Sequence, residues 1–208
     1  MNIQKKFVDL RSDWKVTMSL GITANKDKNG ALLAYIAKNI PDINLQKLLK
    51  IVYLIDEKFM ELRGFPLTWF DYYAWAKGPV APEVYDIKNG AFSKYVKCHK
   101  NGYNIVDSVL SHKYHVLKQM DVFSPYELNV IDGVIFKYAN MSADQLSDIT
   151  HKADSLWSRV VKDNHLSFEK DKKSDVLVPL TMLNEGDVDK QETYEEALEY
   201  MQFCKGVC

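Results

Sequence analysis

The sequence has 208 residues, a formal net charge of -1 and 47% apolar residues, values typical of one globular domain. The nearly neutral charge gives no overall electrostatic attraction to nucleic acid or to an acidic membrane. No apolar run approaches the roughly 20 residues that span a bilayer. Three cysteines and a polar N-terminus without the apolar core of a secretory signal indicate a reducing cytoplasm. We therefore expect a cytoplasmic protein whose core needs neither a disulfide nor a metal.

The first 30 residues are polar and weakly patterned, and we expect a loosely ordered arm over residues 1–30. The sequence GALLAYIAKNI, which starts at Gly30, places apolar residues at helical spacing. Because proline cannot continue a helix, this helix is predicted to stop at Pro41.

The clearest predicted helix covers INLQKLLKIVYLIDEKFMELRG. Apolar residues recur in it at steps of three and four from Leu45 to Leu62, which predicts one buried face. Asn44 is the predicted N-cap, because its side-chain oxygen can accept an otherwise unpaired N–H of the first turn. Gly64 is the predicted C-cap, because glycine adopts the left-handed conformation that ends many helices. The core candidates are Leu48, Leu49, Val52, Ile55 and the later Trp157.

An aromatic run, FPLTWFDYYAWAKG, follows this helix and predicts an extended segment. A small β element cannot bury both faces of such a segment, so some of its rings should be exposed or half-exposed, as at partner sites. The alternative is that all the rings fill the core. Gly78 and Pro79 are predicted to turn the chain and to end strand pairing, since proline lacks an N–H. Pro82 suits the first turn of a helix running through PEVYDIKNG.

The second half of the sequence predicts short strands and then three helices. CHKNGYNI carries an Asn-Gly signal for a tight hairpin, and HKYHVLKQ is a further strand or a helix. The capping boxes SPYE and SADQ begin helices after Ser124 and Ser142, and a last amphipathic helix is expected over 193–203. The elements predict a mainly α fold with a small β element, a compact helical domain with a short antiparallel sheet or hairpin.

Sequence signatures of common enzymes and cofactor sites are missing. There is no glycine-rich phosphate loop followed by Lys and Ser/Thr, no HExxH, no GxSxG and no CxxC. His112 and His115 could share a helix face, but no cysteine or carboxylate cluster accompanies them. Cys204 and Cys208 are interpreted as free thiols near a helix end. We therefore predict no catalytic residue, no cofactor and no metal.

Two alternative functions are open at this stage. His151 could be the general base of a hydrolase or nuclease if Asp56, Asp148 and Asp154 converged on it. The simpler interpretation is a histidine whose positive charge suits a helix C-terminus.

The second alternative is nucleic-acid binding. Basic and aromatic residues interleave between Lys88 and Lys100, which is a pattern that single-stranded nucleic acid can use. The nearly neutral net charge argues against a dedicated nucleic-acid binder.

Four segments, in order, resemble the Panacea domain, the SocA-like antitoxin family. They are LQKLLKIVYLID, RGFPLTWFDYYAWAKGPVAPEVYD, DVFSPYEL and MSADQLSDITHKADSLW. The resemblance covers residues 31–160. Two segments lie outside the resemblance: the N-terminal arm (1–30) and a charged C-terminal extension with a terminal helix (161–208).

The resemblance implies a non-enzymatic bacterial antitoxin that neutralises a cognate toxin, encoded by an adjacent gene, through direct protein–protein binding. Some members of the family are adaptors that hand the toxin to a protease, and others are phage-associated. Because no helix-turn-helix is recognisable beside the core, self-repression of an operon is not expected. We expect the segment from residue 75 to residue 85, here called the elbow, to form part of the protein-binding surface. Its interface candidates are Trp75, Lys77, Gly78, Pro79, Val80 and Tyr85.

Overall fold

The structure is a computed structural model that describes residues 25–99, 102, 104–109 and 122–206, with side chains as far as Phe203. Most of the predicted arm lies outside the described residues. So do the segment HKYHVLKQ, with His112 and His115, and the terminal Cys208.

The described part of the chain is mainly helical, as predicted. Its helices are α1 (Lys26–Asn39), α2 (Leu45–Arg63), α3 (Pro82–Tyr85), α4 (Pro125–Tyr138), α5 (Ala143–Thr150), α6 (Leu156–Asp163) and α7 (Val188–Gly206). Two antiparallel strand pairs accompany them, β1 (Tyr73–Trp75) with β2 (Gly78–Val80) and β3 (Val96–His99) with β4 (Ile105–Ser108). The predicted class, mainly α with a small β element, is confirmed. None of the described helices is long and apolar enough to cross a bilayer.

Helix α2 is the central element of the domain. Every residue from Leu48 to Asp56 is buried, so this stretch is covered around its whole circumference and not on one face only. The helices α1, α4 and α5 and the β1–β2 hairpin pack around it. Leu62 lies beyond the buried stretch and is 47% exposed, so its predicted place on the core face is wrong.

Both predicted ends of α2 are confirmed, because the signals that set them are local. The Asn44 side chain accepts a hydrogen bond from the N–H of Lys47 at 2.8 Å. Gly64 has a φ of 82°, in the left-handed region. The two capping boxes, at Ser124 and Ser142, are also present.

Helix α1 begins at Lys26, inside the segment predicted as an arm. Asn25 caps it by accepting hydrogen bonds from the N–H groups of Asp27 and Lys28 at 3.1 and 3.0 Å. Gly30 is buried against the ring of Tyr95, which also fills the place of a Cβ on that glycine. These contacts with the turn before β3 involve residues far apart in the chain, which explains why periodicity missed them.

Gly78 and Pro79 lie inside strand β2, so the prediction that they turn the chain and end strand pairing is wrong. The register pairs Trp75 with Gly78 and Ala74 with Pro79, which leaves a two-residue loop. The N–H of Ala74 donates to the carbonyl of Val176 at 2.8 Å, on the opposite side of β1. Ala74 and Pro79 are therefore a pair that exchanges no hydrogen bond, and the missing N–H of proline costs nothing there.

The predicted hairpin of CHKNGYNI is present, but its loop is not tight. The last residues paired are His99 and Ile105, so the connection has five residues, 100–104. The predicted last helix also exists, and it is longer than 193–203 at both ends.

Segment 172–180 packs on the earlier part of the chain. The N–H of Val178 donates to the carbonyl of Tyr72 at 2.7 Å, and that of Ala76 to the carbonyl of Lys172 at 3.0 Å, so segment 172–178 covers the outer edge of β1. Leu177, Val178 and Leu180 are buried. This segment, predicted as an extension, therefore contributes to the core, and the predicted division at residue 160 stays a prediction.

We expect Gly30→Ala to destabilise the fold by about 1–3 kcal/mol, since the new methyl group would overlap the Tyr95 ring. Gly133→Ala is the matched control, because Gly133 lies inside α4 and a Cβ added there would meet nothing within 4 Å. Alanine has the higher helix propensity, so Gly133→Ala should stabilise by roughly 0.5–1 kcal/mol. Urea unfolding measures both changes, and equal effects at the two sites would contradict the packing of α1 described above.

Candidate functional site

A buried carboxylate on α2 positions the aromatic run. Asp56 is fully buried and accepts hydrogen bonds from the N–H groups of Leu67 and Thr68, both at 2.9 Å. It also accepts from the hydroxyl of Thr68 and from that of Tyr72, the latter at 2.7 Å. Burial raises the pKa of Asp56, and these hydrogen bonds act in the opposite direction. A buried carboxylate without partners is costly, so the chain between α2 and β1 is held in an arrangement that satisfies it.

This network decides which aromatic rings face the core. Phe70 and Tyr72 are buried, whereas Trp69, Tyr73 and Trp75 are half-buried. The prediction that some rings of the run remain half-exposed is confirmed, and the alternative that all of them fill the core is wrong.

Helices α5 and α6 hold the elbow through its backbone. The indole N–H of Trp157 donates to the carbonyl of Trp75 at 2.9 Å, and the Ser147 hydroxyl donates to the carbonyl of Lys77 at 3.3 Å. Gly78, with a φ of 106°, approaches α5 so closely that a Cβ would lie 2.7 Å from Thr150 Oγ1. The segments RGFPLTWFDYYAWAKGPVAPEVYD and MSADQLSDITHKADSLW therefore meet at the elbow. Trp157, predicted in the core, is only partly buried.

The amine of Lys50 lies beneath the elbow. Lys50 is 1% exposed, its Nζ donates to the carbonyl of Pro79 at 3.3 Å, and a Cβ on Gly78 would collide with it. Burial, together with the charge of Lys77, lowers the pKa of Lys50 to about 7. Among the described residues Lys50 forms no ion pair with a carboxylate. The elbow thus covers an amine that is partly charged at neutral pH.

His151 follows the last turn of α5, as predicted, but its environment disfavours a positive charge. Burial lowers the pKa of His151, the charge of Lys50 lowers it further, and Asp148 opposes both. Its ring centroid lies 3.9 Å from that of Trp157. His151 does occupy the C-cap of α5, and a favourable interaction of its positive charge with this helix end stays a prediction.

The hydrolase alternative required three carboxylates to converge on His151. Asp56 instead binds the chain between α2 and β1, and Asp148 and Asp154 are exposed. Within the described ranges, no group of three or more His, Cys, Asp or Glu residues could hold a metal ion. The structure therefore gives this alternative no support.

The basic segment between Lys88 and Lys100 does not present a stacking platform in its described part. Phe92 packs edge-to-face against Phe70 at 6.3 Å, and Tyr95 covers Gly30. Both rings are half-buried and pack against other parts of the chain, so they do not stand out as a free stacking surface.

The six residues predicted at the partner surface fall into two groups. Lys77 is exposed, and Trp75 and Tyr85 are half-buried, with ring centroids 4.9 Å apart in an edge-to-face arrangement. The other three, Gly78, Pro79 and Val80, are buried and shape the hairpin from within. Which partner binds this surface stays a prediction.

The interface prediction missed two lysines whose amines lie over the aromatic rings of the elbow. Nζ of Lys173 lies 4.5 Å from the ring centroid of Trp75 and 4.9 Å from that of Tyr85, and Nζ of Lys88 lies 3.8 Å from that of Tyr85. No local pattern connects Lys173 with the elbow. The buried position of Lys50 beneath the elbow could have been predicted, because it is a lysine between apolar residues in LLKIVYLID.

Comparison with known families identifies a match over the middle of the chain. Residues 48–158, just over half of the chain, match the family model described as Antitoxin SocA-like, Panacea domain. The match includes most of α2, the elbow, α4, α5 and the first three residues of α6, and it ends before Lys173. Searches of curated proteins and of solved structures found no match.

We expect Asp56→Ala to destabilise the protein by at least about 3 kcal/mol, because it leaves two buried N–H groups and two hydroxyls without their acceptor. Asp148→Ala, which removes an exposed carboxylate, is the control and should change stability by less than about 0.5 kcal/mol. Urea unfolding followed by circular dichroism makes the comparison. Similar stabilities of the two variants would show that Asp56 does not organise the aromatic run.

We also expect stability to rise with pH above about 7 through Lys50. Because the pKa of Lys50 is about 7 in the folded protein and 10.5 when unperturbed, the unfolded chain binds more protons between these values. The contribution is at most about 1.4 kcal/mol per pH unit. Lys50→Met keeps the bulk of the side chain and should remove this contribution. Urea unfolding from about pH 7 to 9.5 measures how the free energy of unfolding depends on pH in the two proteins. Equal slopes would show that the pKa of Lys50 is not lowered in the folded protein.

Proposed function

The chain belongs to the antitoxin SocA-like, Panacea domain family, and on that premise we propose that it neutralises a cognate toxin protein by direct binding. The observation that carries the proposal is the elbow, where Trp75, Tyr85 and Lys77 are presented by a hairpin and the helix after it. Tryptophan and tyrosine contribute much of the binding energy at protein interfaces, and an exposed lysine beside them adds electrostatic complementarity.

The rigidity of the elbow supports a binding role. Its backbone is held by Trp157 and Ser147 on one side, by Lys50 from below and by segment 172–178 along the edge of β1. A surface that is already ordered loses less conformational entropy on association. We infer that the partner binds to a preformed site.

In this proposal the protein is not an enzyme. The hydroxyl and indole groups nearest the elbow donate to backbone carbonyls, Ser147 to Lys77, Thr150 to Ser147 and Trp157 to Trp75. These groups support the hairpin and do not face a reacting substrate. We place the protein in the cytoplasm with its toxin, and we propose the toxin to be encoded by an adjacent gene.

Co-purification tests this proposal. The tagged full-length chain is expressed with its native flanking genes, purified and analysed by mass spectrometry. We expect a stoichiometric partner from an adjacent gene that is toxic when expressed alone and harmless together with this chain. A partner that is harmless alone, or the lack of any stoichiometric partner, would contradict the antitoxin proposal. Measuring the half-life of the toxin with and without this chain distinguishes simple neutralisation from delivery to a protease.

We expect Trp75→Ala combined with Lys77→Ala to abolish neutralisation while the fold is kept, because the backbone groups of both residues still hold the elbow. The control combines Phe136→Ala with Lys94→Ala. These residues are exposed and are not part of the elbow segment, and Phe136 is 88% exposed. Growth rescue and thermal unfolding are measured for both double variants. If the first variant unfolds, Trp75 and Lys77 are structural, and the interface lies elsewhere.

A further inference from the structure

We propose that the elbow recognises a carboxylate-rich segment of its protein partner through a cluster of three lysines, Lys77, Lys88 and Lys173. This inference rests on the proposed function and adds the chemistry of the partner. The three residues are here called the lysine cluster. The amines of Lys88 and Lys173 lie over the half-buried rings of Trp75 and Tyr85, and Lys77 is in the hairpin loop two residues after Trp75.

Two ammonium groups of the cluster, those of Lys88 and Lys173, lie over aromatic rings. Lys173 contacts the faces of both rings, at 4.5 and 4.9 Å, and Lys88 contacts Tyr85 at 3.8 Å. Among the described residues neither lysine forms an ion pair. A ring orients a cation but carries no net charge, so each ammonium group keeps its charge and can still attract an anion.

Lys77 has only a weak carboxylate partner. Its Nζ lies 3.9 Å from Asp144, and the two side chains are 67% and 85% exposed. An exposed pair at this distance contributes little and exchanges readily for another carboxylate. All three lysines of the cluster can therefore take part in a new ionic contact.

Neighbouring groups are also influenced by the positive charge of this surface. A hydrogen bond from Lys88 lowers the pKa of the Tyr85 hydroxyl, and the charges of Lys88 and Lys173 add to this effect. Lys77 contributes to the low pKa of Lys50 directly beneath the elbow. Both effects indicate a positive potential at the elbow, which complements an acidic partner and favours its association.

A protein carboxylate suits this site better than a nucleic acid. Lysine ammonium groups lie over the faces of Trp75 and Tyr85, and the two rings pack edge-to-face, so the rings are not free to stack with bases. A short acidic segment needs only the few ionic contacts that three lysines provide.

Lys173 lies outside the part of the chain that matches the family model, residues 48–158. Segment 172–178 nevertheless pairs with β1 and brings Lys173 over Trp75. The lysine cluster therefore combines residues of the family domain with a residue that this chain adds to it. We infer that residues after the domain help to select the partner.

The test uses the full-length protein and synthetic peptides at low salt. One peptide alternates glutamate and serine, and its control alternates glutamine and serine. Binding is followed by tryptophan fluorescence and by calorimetry. We expect the glutamate peptide to bind at least about tenfold more tightly than the glutamine peptide, and added salt to weaken this binding.

Matched variants locate the binding site. Lys77→Gln, Lys88→Gln and Lys173→Gln together should weaken binding of the glutamate peptide about tenfold or more. The control changes three other exposed lysines to glutamine, Lys38, Lys94 and Lys97, and so removes the same charge. It should bind almost as wild type does. Equal losses in the two variants would show that only net charge matters and would overturn the proposal, as would the failure of the wild-type protein to bind the peptide.

Two further outcomes separate this inference from the proposed function. If a toxin is identified and the lysine-cluster variant neutralises it normally, the inference is wrong while the antitoxin function stands. Peptide binding that depends on the cluster, in a protein with no toxic partner, would support the carboxylate site and contradict the antitoxin function.

An oligothymidine that binds as tightly as the glutamate peptide, with the same dependence on the cluster, would identify nucleic acid as the ligand and overturn the proposal.

Discussion

The burial of residues 48–56 of helix α2 on all sides is the constraint on which the rest of the structure depends. This buried stretch contains one basic and one acidic side chain, Lys50 and Asp56. A buried polar group without partners costs more than most single contacts contribute, so the surrounding chain has to supply partners. Asp56 obtains four donors from the chain before β1, and Lys50 obtains the carbonyl of Pro79 in β2. The aromatic run and the elbow that continues it are thereby fastened to the central helix at two points.

The position of the elbow explains why it is both ordered and partly exposed. Asp56 draws Tyr72 into the core, and the alternation of side chains along β1 then leaves Tyr73 and Trp75 at the surface. Helices α5 and α6 bind the hairpin through its backbone carbonyls, which leaves the side chains of Trp75 and Lys77 available. A rigid hairpin with exposed aromatic and basic side chains is a suitable surface for recognising a protein partner.

The C-terminal segment completes this arrangement. A two-stranded hairpin has an open edge, which is a site for unwanted strand pairing. Segment 172–178 covers the outer edge of β1 with backbone hydrogen bonds, and it also places Lys173 over Trp75. One segment thus protects the hairpin and changes the charge of its surface, although it lies outside the residues that match the family model.

The sequence by itself determined the mainly α class, the limits of α2 and the capping boxes at Ser124 and Ser142, since each depends on residues close together in the chain. The motifs that resemble the family also pointed to the elbow. Only the tertiary structure decided that residues 48–56 of α2 are buried on every side, that Pro79 is accommodated inside a strand and that Lys173 contacts the Trp75 ring. These features depend on contacts between residues far apart in the chain, and such contacts leave no periodic pattern in the sequence. Burial also set the low pKa of Lys50, because desolvation depends on everything packed around the amine.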